Sequence, residues 1–442
     1  MPASRDREIL RLAVPAFLAL VAEPLFLLSD AAIVGHLGSA ELAGLGIAAA
    51  VLQTVIGLCV FLAYGTTGSV ARHLGAGDLR GAVAQGVDGL WLALGIGSVV
   101  TVLGVASTDR LVDAFGAGAA VSDSATTYLR VAFLGTVPLL LMLAATGVLR
   151  GLQDTRTPLV VAVAGNALNV VLNLLLVYPL GLGIAGSALG SVVAQVASAG
   201  VFVLVVVRAA RRTGAPLRPD LPGIRAAGRA GVPLVVRTLT LRAAIVITTY
   251  VVTLAAVSAR DQEVDLATHQ LAMTLWTFLA FTLDSIAIAA QALTGRLLGA
   301  GDVAGAREMT RRMVWWGAVS GVVTGLLLAG VSPWVGHLFT GDDAVTDLLV
   351  PVLVVAAIGQ PVAGVVFVLD GVLIGAGDGR YLARAGLVTL AVYAPVALLL
   401  AATSAGLVAI WVAFCSVFMG ARLVVLVRRA RSDAWLVTGA GA

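Results

Sequence analysis

Along the chain, long apolar runs alternate with short polar breaks. Apolar stretches of helix length lie near residues 9–35, 42–72, 83–107, 125–150, 158–179, 183–209, 232–258, 265–298, 308–332, 345–375, 380–402 and 405–430. Each reaches or exceeds the roughly 20 residues that carry an α-helix across a bilayer core. Backbone N–H and C=O groups in lipid must pair within the chain, so runs of this kind predict an all-α polytopic membrane protein of twelve spanning helices. The longer runs predict tilt, kinks or extensions beyond the bilayer.

The polar breaks carry a repeat. LGAGD at Leu74–Asp78 recurs at Leu298–Asp302, a displacement of 224 residues. At the same displacement, GVLRGLQDTR from Gly147 aligns with GVLIGAGDGR from Gly371, and Glu41-Leu-Ala with Asp265-Leu-Ala. Phe115 and Asp123 likewise match Phe339 and Asp347. One displacement shared by four separated places indicates duplication. Six helices per half is an even number, so the halves are parallel, pseudo-symmetric six-helix bundles entering the membrane from one side. The predicted lobes are 1–212 and 213–442, parted within the arginine-rich, proline-containing loop Arg208–Pro222. Near the start of each half the displacement falls to 218, aligning Val14-Pro15 with Val232-Pro233. That places the extra residues of the second half in its first outer loop, around Ser258–Val264.

Charge orients the array. Arg5, Arg72, Arg150, Arg156, the arginines of 208–229, Arg296, Arg312, Arg380 and Arg429 all fall on one set of helix ends. The other ends hold only Arg110, Arg130 and Arg260, among many acids. The positive-inside rule makes the first set cytoplasmic, with both termini inside. Composition agrees: 60% of the 442 residues are hydrophobic and 12% charged, against about a quarter charged in soluble domains. The basic pI near 9.5 then reflects topology and predicts no nucleic-acid partner. Its basic residues are all arginine, and with much Ala, Gly and Val this suggests a bacterial source. Cys59 and Cys415 lie in apolar runs and are expected as free thiols. The first apolar run is too long and too acidic for a cleaved signal peptide.

Polar residues inside the spans are the candidate chemistry. Glu23 and Asp30 share the first segment, and seven residues at about 100° each return to nearly one helix face, about 10 Å apart along the axis. An acid at this depth faces a wet cavity or a partner and marks an ion or substrate path, unless it is paired with arginine for packing. In the fifth segment Asn166, Asn169 and Asn173 form one polar stripe, and the sixth adds Ser187, Ser191 and Gln195. At the depth of Asp30 these predict a small hydrated chamber in the first lobe; the alternative is helix-to-helix hydrogen bonding. Asp30 maps onto Thr248 and Glu23 onto Leu241, so the scaffold is duplicated and the acid pair is not. Asp370 and Asp284 are candidates for a substrate cleft, with Asn166 and Gln195, or else ion-pair partners of Arg237 or Arg242. Pro15 and Pro24 remove backbone hydrogen bonds and predict a bend in the first helix. Asp342, Asp343 and Asp347 read as the start of a helix. The four histidines are scattered, and LGAGD lacks the Lys-Ser/Thr of a nucleotide loop. No metal, cofactor or catalytic constellation is therefore expected.

Seven stretches together resemble the multidrug and toxic compound extrusion (MATE) family, in its DinF-like branch. They are LRLAVP, PLFLLSDAAIVGHLGSAELAGLG, YGTTGSVARHLGAGD, GVLRGLQDTRTP, RTLTLR, LDSIAIAAQALTGRLLGAGD and VLDGVLIGAGD. The resemblance implies two six-helix bundles forming a V, and an antiporter working by alternating access. Such a protein exports organic compounds, cationic or amphiphilic, across the plasma membrane, driven by inward H⁺ or Na⁺. It implies no enzyme activity; small organic substrates, the coupling ion and the bilayer are the expected partners of a monomer. Asp30 resembles the branch's cation-binding aspartate, Pro15 its helix-1 bend and Asn169 its helix-5 asparagine. Ser191 stands where a threonine is common. Asn173 stands where relatives often carry a second aspartate, and Glu23, two turns below Asp30, is the candidate to compensate. Fewer fixed charges favour H⁺ over Na⁺ at Asp30, with Na⁺ the alternative. A flippase for lipid-linked precursors is the rival reading; it needs several basic cleft residues, for which only Arg237 and Arg242 are available.

Overall fold

The computed structural model describes residues 2–440, which form helices joined by short turns. The first lobe holds α1 (Pro2–Gly35), α2 (Ser39–Gly75), α3 (Leu79–Asp113), α4 (Ala119–Gly151), α5 (Arg156–Val177) and α6 (Gly183–Thr213). The second holds α7 (Leu221–Ala255), α8 (Ala259–Gly299), α9 (Val303–Leu338), α10 (Asp343–Gly375), α11 (Gly379–Ala402) and α12 (Leu407–Arg431). Among the described residues these are the 12 helices long and apolar enough to span a membrane. A short 3₁₀ turn at Phe133–Gly135 interrupts α4, and a π-helical turn at Phe414–Phe418 interrupts α12. The acidic run is a helix start as expected, with Asp342 capping α10 through the Ala344 N–H at 3.0 Å.

The repeat is visible as a repeated turn. Gly77, Gly301 and Gly377 have φ of 77°, 75° and 75°, a left-handed turn open to glycine without a Cβ clash. Asp78 then caps α3 through the Gly81 N–H at 2.7 Å, and Asp302 caps α9 through the Gly305 N–H at 2.8 Å. The extra length of the second half is not in its outer loop, which is as short as its counterpart. It lies in the flanking helices: α7 runs two residues past the counterpart of Gly35, and α8 begins four residues before the counterpart of Ser39 and runs unbroken to Gly299, whereas α2 is interrupted at Val60. A helical extension satisfies its own backbone hydrogen bonds, so added residues are more easily kept as helix than as loop.

The lobes meet at their arginine-rich ends. A Cβ on Gly75 would lie 1.9 Å from the Arg296 carbonyl oxygen, and one on Gly299 would lie 2.0 Å from that of Arg72. Here α2 and α8 cross backbone to backbone. Both ends of the chain stitch this seam. From α1, Asp6 accepts from Arg312 Nε at 2.6 Å and Trp316 Nε1 at 2.8 Å, and Glu8 pairs with Arg296. Ile9, Leu12 and Ala13 are buried in the second lobe's core. From the other end, Arg72 donates to the carbonyls of Val437 and Gly439, each at 2.9 Å. Gln153 adds a bond to the Ala292 carbonyl at 3.1 Å. Among the described residues every hydrogen bond and ion pair between lobes sits toward this end.

Helix α1 is continuous through Pro15 and Pro24; the expected bend is not a break in this conformation. Leu10, Val14, Leu18, Leu25 and Leu28 are exposed along one side of it. Their spacing of three, four and seven makes a single lipid-facing stripe. Asp30 and Glu23 fall on the opposite side.

Candidate functional site

The outer half of α1 packs against α5, which brings Asp30 to the polar stripe. Asp30 is 3% exposed. Its Oδ1 accepts from Ser187 Oγ at 2.6 Å and from Asn173 Nδ2 at 2.7 Å, and its Oδ2 accepts from the Tyr128 hydroxyl at 3.1 Å. Asn173 Nδ2 also reaches Asn169 Oδ1 at 3.2 Å, and Asn169 Nδ2 donates to Ser191 Oγ at 2.9 Å. Four helices thus contribute to one buried chamber around a single carboxylate. Among the described residues no guanidinium pairs with it. Neutral donors therefore hold the charge where an ion pair would otherwise be needed. Asn173 Oδ1 is buried with no partner, leaving one acceptor unused. The oxygens of Asp30, Ser187 and Tyr128, joined by Asn173 Oδ1 if that amide turns, suit a proton or a hard alkali cation.

The equivalent place in the second lobe is chemically different. Thr248 meets the Tyr393 hydroxyl at 2.6 Å, and Tyr393 packs against Phe414 and Phe418 at 6.4 and 5.4 Å between centroids. An aromatic cluster fills the space where the first lobe keeps its carboxylate.

Asp30, Asn169, Asn173 and Ser191 come together. Ser187, at the same spacing, makes the shortest bond to the carboxylate. Tyr128 is missed by sequence reasoning, because a lone tyrosine in an apolar run gives no sign of the face it presents. Glu23 shares a face with Asp30 but stays outside the chamber and is exposed. It makes no side-chain hydrogen bond among the described residues. Because it lies opposite the lipid-facing stripe and amid close-set protein atoms, that exposure is to interior space.

The cleft candidates divide. Asn166 is turned to α1 and donates to the Ala22 carbonyl at 2.9 Å, two residues before Pro24. Gln195 lies against Gly135 within the first lobe, so neither residue presents its amide to the space between lobes. Asp370 offers no free carboxylate: it is 5% exposed and held by Arg237, with Nε at 3.0 Å from Oδ1 and Nη2 on Oδ2. Arg422 Nη2 adds a longer contact at 3.4 Å. Asp284 is half-buried beside Arg150 of α4, Arg237 of α7 and Tyr64 of α2, where the lobes face each other. Arg242 is exposed and reaches across to Gly57 of α2. With Arg237 committed to Asp370, Arg242 and the half-buried Arg150 are the other arginines facing the space between lobes.

Comparison with known proteins places this architecture. The MatE family profile matches twice, over residues 15–175 and 239–399, the same displacement that relates the LGAGD turns. The chain is 32% identical over 432 residues to the chloroplastic protein DETOXIFICATION 44 of Arabidopsis thaliana, covering 94% of this chain and 80% of that one. It is 30% identical over 387 residues to DNA damage-inducible protein F of Escherichia coli K12, covering 84% and 81%. Among solved structures, an outward-facing multidrug resistance MATE transporter of the MOP superfamily superposes with a TM-score of 0.88 at 23% identity, over 98% and 96% of the two chains. The bent form of the Vibrio cholerae MATE transporter VcmN superposes at 0.87 with 19% identity, over 98% and 99%.

Proposed function

Because this chain belongs to the MatE family of efflux transporters, we propose that it is an antiporter in which protonation of Asp30 drives export of organic compounds. The observation that carries the reading is a buried carboxylate held by Ser187, Asn173 and Tyr128 with no cationic partner. A charge held this way is stable only while its donors stay in place. Taking up a proton removes the desolvation penalty and supplies an O–H that needs an acceptor. Asn173 Oδ1 is unpartnered, and turning that amide presents it to the new O–H. The bonds between α1 and α5 then differ between the charged and neutral states. A helix with prolines at 15 and 24 can bend in response. Proton uptake with the V open to the acidic face, followed by collapse of the chamber and outward release of substrate, completes the exporting stroke. On this reading the arginine-rich face is cytoplasmic and the membrane is a bacterial plasma membrane. Glu23 is the carboxylate that meets the positive group of a cationic substrate.

Na⁺ at Asp30 is the alternative. Reconstituted vesicles with H⁺ and Na⁺ gradients imposed separately decide between them, with wild type compared with Asp30→Asn. Export driven by H⁺ alone and absent in Asp30→Asn is expected. Undiminished H⁺-driven export by the variant would remove Asp30 from the mechanism, and export driven by Na⁺ alone would replace the coupling ion.

A further inference from the structure

A cluster of arginines lies at the arginine-rich end of α1, outside the acidic chamber. A cavity of about 800 Å³ opens there between the first turns of α1 and the turn joining α4 to α5. Arg7, Arg11 and Arg156 line it, and all three are exposed. Among the described residues none pairs with a carboxylate. The two acids on the wall are already engaged: Glu8 with Arg296, and Asp154 with the backbone N–H groups of Arg156 and Thr157 at 3.0 Å. Three exposed guanidinium groups thus line one open cavity, outnumbering its two carboxylates, of which Glu8 is already paired with Arg296.

What lies beneath decides the ligand. Arg7 and Arg11 stand at the head of the lipid-facing stripe of α1, with Leu10, Val14 and Leu18 following on the same side. On α5, Val160 and Val163 are 65% and 53% exposed below Arg156. A cationic pocket continued by two apolar helix faces matches an amphiphile with an anionic head and acyl chains, and a small soluble anion would leave the apolar part unused. We propose that this cavity binds the phosphate headgroup of an anionic phospholipid, whose chains lie along α1 and α5. Basic pockets between spanning helices at one membrane face are suited to such headgroups, and arginine forks suit phosphate oxygens. The cavity wall joins both lobes, since Gln153 is bonded to Ala292 and α1 is bonded to Arg296 and Arg312. A seated lipid therefore favours the arrangement in which these ends are closed.

The test uses the full-length protein in neutral detergent, with bound lipid counted by native mass spectrometry and thermal unfolding followed in parallel. Phosphatidylglycerol should be retained and should raise the unfolding temperature, while phosphatidylcholine should do neither. Arg7→Ala/Arg11→Ala/Arg156→Ala should abolish both effects, each arginine being worth about fivefold in affinity. Arg208→Ala/Arg211→Ala/Arg212→Ala, which removes three exposed arginines elsewhere on the same face, should keep them. If the first triple variant does not fold, Arg156→Gln alone should weaken retention about fivefold. Equal loss in the second triple variant would reduce the effect to general surface charge and overturn the site. Equal protection by inorganic phosphate or glycerol phosphate would overturn the lipid assignment.

Discussion

The Arg237–Asp370–Arg422 cluster makes a prediction whose order follows from the geometry. Asp370 is 5% exposed and receives two donors from Arg237 but one long contact, 3.4 Å, from Arg422. Asp370→Asn leaves Arg422 without a counter-charge and Arg237 with only the unbonded Asp284 nearby. Breaking a buried pair by removing one partner costs about 3–5 kcal/mol, and two arginines depend on this carboxylate, so the upper part of that range is expected. Arg237→Met strands Asp370 on the 3.4 Å contact alone and should cost about 3 kcal/mol. Arg422→Met leaves the Arg237 fork intact and removes a like charge beside it; the change should be within about 1 kcal/mol. Replacing all three with Met, Leu and Met should recover most of the loss, since an apolar set of similar volume needs no pairing. Thermal unfolding of the purified variants in detergent, read as loss of the monodisperse peak, gives the order directly. Should Arg422→Met prove as damaging as Asp370→Asn, or Asp370→Asn unfold with wild type, the assignment of Arg237 as the principal partner fails.

Other substitutions probe the chamber and the seam. Asn173→Asp sets a second carboxylate against Asp30, where Nδ2 now lies 2.7 Å from Oδ1; vesicle assays should show a Na⁺ gradient beginning to drive transport, and none would appear if the extra charge merely binds a proton. Asp30→Ala strands the buried donors of Ser187, Asn173 and Tyr128 and should lower stability by about 1–3 kcal/mol relative to Asp30→Asn, measured as the gap between their unfolding temperatures. Gly299→Ala puts a methyl group 2.0 Å from the Arg72 carbonyl, so the seam must part; a loss of about 1–3 kcal/mol is expected in the same melt. Gln153 occupies a left-handed conformation, φ 66°, where its counterparts are glycine. Gln153→Gly trades strain for the bond to Ala292 and should change stability by no more than about 1 kcal/mol, whereas Gln153→Val keeps the strain and loses the bond.

Much of this architecture is legible in the sequence, and its gaps have a common cause. Hydropathy marks all twelve spans because lipid allows few alternatives, and the 224-residue displacement exposes the two lobes. Helical periodicity shows that Asn169 and Asn173 share a face and that Asp30 reaches their depth. It does not show which neighbour stands opposite a given face. Asn166 has the spacing of the stripe yet spends its amide on Ala22, and Asp370 could not be told apart from a free carboxylate until α7 and α12 were in place beside it. Tyr128 is invisible for the same reason: only the packing of α4 against α1 gives its hydroxyl a partner. Glu23 has the right face and the wrong surroundings, since the seven residues that return it to the direction of Asp30 also move it a full two turns away from Ser187 and Asn173.

The glycine crossing at the seam is reciprocal. Gly75 rests on the carbonyl of Arg296 just as Gly299 rests on that of Arg72, so each half offers the other the same surface. That is the hallmark of an isologous contact, the kind two identical subunits make about a dyad. A six-helix ancestor carrying this surface would have paired with its own copy, and residues 214–220 tether two halves already cut to fit. Divergence could then proceed away from the joint, with one copy retaining an aspartate while its twin settled for a threonine.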